Sequence, residues 1–159
     1  MSQILTPQAS IALDAWARLL RAHAATTRAL SAQLSADHGL TINDYEALLL
    51  LARAEDDRMR RVDLAERLLL TASGVTRLLE GLENAGLVER AACASDRRVT
   101  YAVLTAAGRK KLEAAAKSHV TAVQAIFEQR FTDEELAQLA ELLGHLPEAA
   151  RATGDECTP

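Results

Sequence analysis

Apolar side chains recur at intervals of three and four near the start of the chain, at Leu13, Trp16, Leu19, Leu20, Leu30 and Leu34, with half-apolar His23 and Thr27 between them. That spacing lays one stripe along a helix of 3.6 residues per turn and predicts a long amphipathic helix over residues 10–36. Gly39 is suited to the left-handed backbone that ends such a helix, and Leu40 stands where it can pack back on the last turn. Thr41 and Asp44 form a capping-box pattern for a second helix carrying Tyr45 and the run Leu48 to Leu51. Its end is expected near Glu55-Asp56-Asp57, because three acids oppose the macrodipole at a helix C-terminus. A third helix is predicted over 62–69, with Asp63 in its first turn. A fourth is predicted over 72–85, N-capped by Thr71, stapled by Leu70 and Val75, and stopped by Gly86.

From 87 to 92 and from 99 to 104 the residues turn β-branched and aromatic around the charged stretch Ser95-Asp96-Arg97-Arg98. This predicts one hairpin, the only strand signal in the chain. Thr105 caps a fifth helix expected to reach about Arg130, with Leu112, Val120, Val123 and Phe127 on one side. Phe131-Thr132-Asp133-Glu134-Glu135-Leu136 combines staple, N-cap and capping box for a sixth helix running to about Leu146, before Pro147, and the tail after Arg151 is expected to fray. The expected fold class is mainly α with a small β-hairpin wing: a winged helix-turn-helix with long N- and C-terminal helices. One domain is expected over 1–159, with long helices at 10–38 and 105–147 flanking a winged region at 42–104.

Composition narrows the class of protein. The 159 residues are 49 % apolar and 25 % charged, which suits one globular unit and excludes a disordered chain. No apolar run approaches the roughly 18 residues of a membrane span. The first ten residues lack a signal-peptide layout, so the cytoplasm is the expected location. Cys93 and Cys157 stand far apart with no CxxC, so neither a disulfide framework nor a cysteine zinc cluster is expected. The net charge of −4 looks wrong for a nucleic-acid binder until it is divided along the chain. Arg58 to Lys111 holds eleven basic and six acidic residues, +5, while the remainder holds seven against sixteen, −9. The acidity lies outside the predicted reading module.

Within that module, Ala65 is small where two helices would cross, and Val75 and Leu78 follow at the spacing that buries one face of a second helix. Its other face begins Ser73, Gly74, Thr76, Arg77. Small and hydroxylated residues let backbone amides approach phosphates, and an arginine reaches a phosphate or a base edge. An ordinary helical hairpin with a short polar face would read the same. The wing tip tilts the balance: Arg97 and Arg98, with Asp96 to orient one of them, can project guanidinium groups into a minor groove. Arg58, Arg60, Arg61, Arg109, Lys110 and Lys111 are further candidates for backbone contact or, as readily, a solvated basic face.

The segments Val62-Asp63-Leu64-Ala65-Glu66-Arg67-Leu68, Ser73 through Glu83, Gly86-Leu87-Val88-Glu89-Arg90, and Ser95-Asp96-Arg97-Arg98 leading to Leu104-Thr105-Ala106-Ala107-Gly108 stand in an order and spacing that resembles MarR-family transcriptional regulators. The likeness runs from about Gly39 to Leu146; Leu69 departs from it, standing where helix-turn-helix proteins often have Gly. The resemblance implies a homodimer on a near-palindromic operator in double-stranded DNA, usually a repressor released by a small aromatic or phenolic effector. It also implies an effector crevice between the dimerisation helices and the winged region, where Trp16, His23 and Tyr45 are the candidate contacts. Core or interface packing is the plainer reading of Trp16 and His23. Independently of the family, the terminal helices carry more apolar surface than a small winged domain covers, which points to self-association.

Two alternatives fit the same residues. One is a redox-responsive regulator using Cys93, whose neighbours Arg90 and Arg97 would favour a thiolate. The other is a winged-helix protein-interaction module without DNA binding. Zinc sensing could draw on Asp37, His38 and His119, but the resemblance implies a second histidine one turn after the first on the helix following the wing, where Val123 stands, so no metal or other cofactor is expected. No GxSxG, HExxH, P-loop or dinucleotide fingerprint is present, so no enzyme is expected.

Overall fold

A computed structural model describes residues 10–96 and 98–147. Six helices and three strands follow in the order α1 (Ile11–His38), α2 (Ile42–Arg53), β1 (Arg58–Arg60), α3 (Arg61–Arg67), α4 (Ala72–Asn84), β2 (Val88–Ala92), β3 (Thr100–Leu104), α5 (Ala106–Glu128) and α6 (Asp133–Gly144). The local signals act as their chemistry requires. Gly39 closes α1 at φ 67°, its N–H and that of Leu40 returning to the carbonyls of Ser35 and Leu34. Thr41 with Asp44 and Thr132 with Glu135 both form reciprocal capping boxes, and Thr71 and Thr105 each accept the amide three residues on.

Two features depart from the sequence pattern. The hairpin gains a third strand, since β1 pairs antiparallel with β3 in the sheet order β1-β3-β2. Arg58-Met59-Arg60 has no β-branched residue to announce a strand; the exposed edge of β3 recruits it, and Met59 turns inward opposite Ala102. A single 3-10 turn at Glu55–Asp57 leads into it, with Asp56 and Asp57 in the left-handed region that Asp tolerates better than most residues. The second departure is at Leu69, which adopts φ 54° in the turn between α3 and α4. A turn that glycine would enter freely is held here by a leucine that is 77 % exposed.

The core gathers where α2, α3, α4, the sheet and the facing ends of α1 and α5 meet: Leu34, Leu48, Leu51, Leu64, Leu79 and Val88 are essentially sealed from solvent. The buried stripe of α4 is Val75, Leu79 and Leu82, with Leu78 half-buried at its flank, one position round from the expected pair Val75 and Leu78. Gly108 in the first turn of α5 lies so close to the Leu87 carbonyl that a Cβ would stand 2.0 Å from its oxygen. Thr105 adds hydrogen bonds to the same turn, its hydroxyl to Gly86 O at 2.7 Å and its N–H to Leu87 O at 3.1 Å. The arm α5 is thereby seated on the base of the wing.

Candidate nucleic-acid interface

Helix α4 is built to show one face. Its buried stripe locks it against the core, and Ser73 and Arg77 stand exposed on the other side, with Gly74 and Thr76 half-buried between them. The Thr71 hydroxyl accepts the Gly74 N–H at 3.1 Å and lies 3.2 Å from the Ser73 hydroxyl. Because Gly74 is engaged in the cap, the amides of Ala72 and Ser73 are the first-turn donors left to meet an anion. Thr76 donates its hydroxyl to Ala72 O at 2.8 Å, which leaves its lone pairs facing out. Arg77 pairs with no carboxylate among the described residues.

The wing tip is organised by Asp96. Its carboxylate accepts the Arg98 backbone N–H at 2.9 Å, and the Arg98 Nε stands 3.7 Å away, an ion-pair rather than a hydrogen-bond distance. Asp96 thus folds the tip more than it aims a guanidinium. Arg98 is almost fully exposed; Arg97 lies outside the described residues. Of the flanking basic residues, Arg58 faces Asp56 at 3.6 Å and places its guanidinium 5.1 Å from the centroid of the Tyr101 ring, a contact with no sequence signal. Arg109 hydrogen-bonds Asp57, and that bond, with the carboxylate charge, raises the guanidinium pKa further.

The three candidate effector contacts do not form one wall within the chain. His23 lines an open groove of about 600 Å³ between α1 and α2, together with Thr27, Arg28, Ser31, Ser35 and Ile42. Beside it, partial burial raises the Glu46 carboxyl, an effect His23 opposes. Trp16 lies two turns earlier on the same stripe of α1, 57 % exposed and beyond that lining. Tyr45 is in the core, its ring 4.4 Å from that of His119. Burial pushes the His119 imidazole pKa down and that of the Tyr45 hydroxyl up. His38 meets the Ser118 hydroxyl at 2.7 Å, so it and His119 are each committed to neighbours other than Asp37. Cys93 is 7 % exposed and disulfide-bonded, so its sulfur is not a free thiolate here, and a disulfide stands where the sequence pattern predicts none. Among the described residues no helix is long and apolar enough to cross a membrane.

Comparison with known proteins bears on this geometry. A MarR family profile matches residues 38–99. Over 111 residues the chain is 34 % identical to the HTH-type transcriptional repressor YetL of Bacillus subtilis (strain 168), covering 70 % of this chain and 66 % of YetL. The chain spans just under two thirds of the length of the curated relatives it matches, 66 % and 62 %. AbsC, a MarR family transcriptional regulator from Streptomyces coelicolor, superposes with a TM-score of 0.76 at 36 % identity, over 87 % of this chain and 93 % of that one. Sco3205, a MarR family regulator from the same organism solved in complex with DNA, gives 0.75 at 32 % identity, over 82 % and 81 %. With the winged helix-turn-helix in place and the likeness extending through the terminal helices, the chain belongs to the MarR family of transcriptional regulators.

Proposed function

We propose that the chain is a homodimeric regulator that binds a near-palindromic operator in duplex DNA, represses from it in the cytoplasm, and is released by a small aromatic or phenolic ligand. The observation that carries this reading is α4: three buried residues fix it, and its opposite face offers two amides, two hydroxyls and an arginine that meets no carboxylate among the described residues, just before a wing with an exposed arginine tip. In such a dimer α4 enters the major groove. Ser73, Gly74 and Thr76 approach phosphates, Arg77 reaches a base edge, and Arg97 and Arg98 reach the adjacent minor groove with Asp96 shaping the turn. Residues 42–104 form the reader and 10–38 with 105–147 the pairing arms of one unit spanning 1–159. Two-fold pairing of identical readers is what calls for a palindrome.

Pairing is supported by the arms. No residue of α6 is buried, although it carries Leu142 and Leu143, and Ile11, Leu13, Trp16 and Leu20 of α1 are exposed as well. Each such side chain gains roughly 1.5–3 kcal/mol on full burial. Repression is supported by the name of YetL, and DNA as the partner by the Sco3205 complex. The effector would occupy the groove beside His23, so that binding alters how α1 and α2 hold the reader. The action is binding and release, with no catalytic residue and no cofactor. No observation favours a protein-interaction module or a Cys93 redox switch over this reading.

A mobility-shift assay against duplexes selected from a random library tests it. The expected result is a salt-sensitive shift by the wild type, weakened in Arg77→Ala by about 1–3 kcal/mol with relaxed sequence preference. No shift with any duplex would overturn the reading.

A further inference from the structure

A cleft of about 280 Å³ lies where β1 and α3 meet the wing, lined by Arg60, Arg61 and Val62 on one wall and Arg98, Val99 and Thr100 on the other. The register explains the juxtaposition. Arg60 stands opposite Tyr101 across the β1–β3 pair, so the residue after it emerges beside the wing as the hairpin leaves the sheet. No acidic side chain is among the lining residues. Arg60 is held by Asp63 through two hydrogen bonds of 2.7 and 2.9 Å, which stiffens its wall and offsets its charge. Arg58 and Arg98 likewise each face a carboxylate. Arg61 faces none among the described residues, and its Nη2 is buried without a hydrogen-bond partner.

A buried guanidinium nitrogen that donates to nothing is a costly arrangement unless a ligand completes it. The complement is an acceptor with negative charge, and a tetrahedral oxyanion fits a guanidinium fork joined by a threonine hydroxyl. We infer that this cleft is a seat for one phosphodiester group of the DNA backbone, held by Arg61 with Thr100. The inference rests on the DNA-binding reading above and deepens it. A duplex that takes α4 in its major groove and the wing over the neighbouring minor groove must pass a sugar-phosphate strand between the two, because that strand is what separates the grooves. The cleft lies at that junction of wing and helix-turn-helix. Arg61 therefore sets the register of the protein on the duplex and reads no base.

The test measures affinity against salt for a duplex selected from a random library and for a random-sequence duplex, using the full chain. Arg61→Met, which keeps an apolar stem, is expected to lower the magnitude of the log K against log salt slope by about 1 and to weaken both duplexes by the same factor, about tenfold. The ratio between them stays at the wild-type value, while Arg77→Ala lowers that ratio. Arg61→Lys restores the slope, which a packing role would not produce, and the thermal midpoint of Arg61→Met does not fall. Wild-type slope and affinity in Arg61→Met, with the wild type still binding its selected duplex, would overturn the seat and leave the DNA-binding reading standing. Absence of any duplex binding by the wild type would overturn both. Titration with inorganic phosphate separates the remaining source: saturable binding lost in Arg61→Met, with DNA slopes unchanged, would make the cleft a free-anion site and contradict the proposal.

Discussion

Between Leu40 and Leu104 the chain seals Leu48, Leu51, Leu64 and Leu79 completely, whereas α6 and the N-terminal half of α1 leave Leu142, Leu143, Ile11, Leu13 and Trp16 in solvent. The residue types hardly differ between the two regions. What differs is how many elements converge on them. Each core leucine of the winged region is reached by several of α2, α3, α4 and the sheet, so one chain supplies all its neighbours. The exposed leucines belong to helices whose apolar stripe the described residues leave largely uncovered. Helix α1 contains both cases along its length, exposed at Ile11 to Leu20 and buried at Leu30 and Leu34, where α2 and α5 pack on it. One part of the molecule is therefore covered by its own chain, and the other leaves the apolar surface that the proposed pairing would bury.

The sharpest way to break that contrast is to truncate the same side chain in both regions. Leu64→Ala should cost about 2–5 kcal/mol, read from denaturant unfolding, at every protein concentration. Leu142→Ala should leave the monomer's stability almost unchanged and lower the thermal midpoint only at concentrations where the wild type is dimeric, the difference vanishing on dilution. Equal, concentration-independent losses would erase the distinction. Next in size is the joint between the regions. Gly108→Ala drives a methyl into the Leu87 carbonyl and should destabilise by about 1–3 kcal/mol, detected as a lower urea midpoint. Wild-type stability there would mean that α5 can lift from the wing at little cost.

Within the covered region the turn at Leu69 carries strain of its own making. Leu69→Gly should stabilise by about 0.5–1 kcal/mol, since glycine enters the left-handed region without the penalty a leucine bears. A loss instead would show that the exposed leucine side chain is needed. The smallest effect expected is a pH dependence at His119, whose imidazole is depressed by burial below its ordinary value of 6.5. The unfolded chain takes the proton first, so the contribution is full above about pH 6.5 and is lost as pH falls through the folded-state value. His119→Phe keeps a ring against Tyr45 and should flatten that part of the stability profile.

The elements could be read from the chain where a local rule decides them: the capping boxes at Thr41 and Thr132, the glycine stop at Gly39, and the hydroxyl-and-arginine face of α4 opposite an apolar stripe. What could not be read depends on distant partners. β1 exists because β3 offers an edge, Gly108 is required by the carbonyl of a residue twenty-one positions earlier, and Tyr45 is occupied by His119. The charge of the reader was legible as a sum over Arg58 to Lys111. Its distribution was not, because pairing with Asp56, Asp57, Asp63 and Asp96 offsets several of those arginines and leaves Arg61 and Arg77 without a carboxylate among the described residues.

The central claim is that two copies join through the exposed arms so that two α4 helices read one duplex. Sedimentation velocity of the purified chain, alone and with a fluorescent duplex chosen by selection, measures this directly. The account predicts a dimer at micromolar concentration and a complex of two chains per duplex that dissociates as salt is raised. A stable monomer, or a single chain bound per duplex, would contradict it.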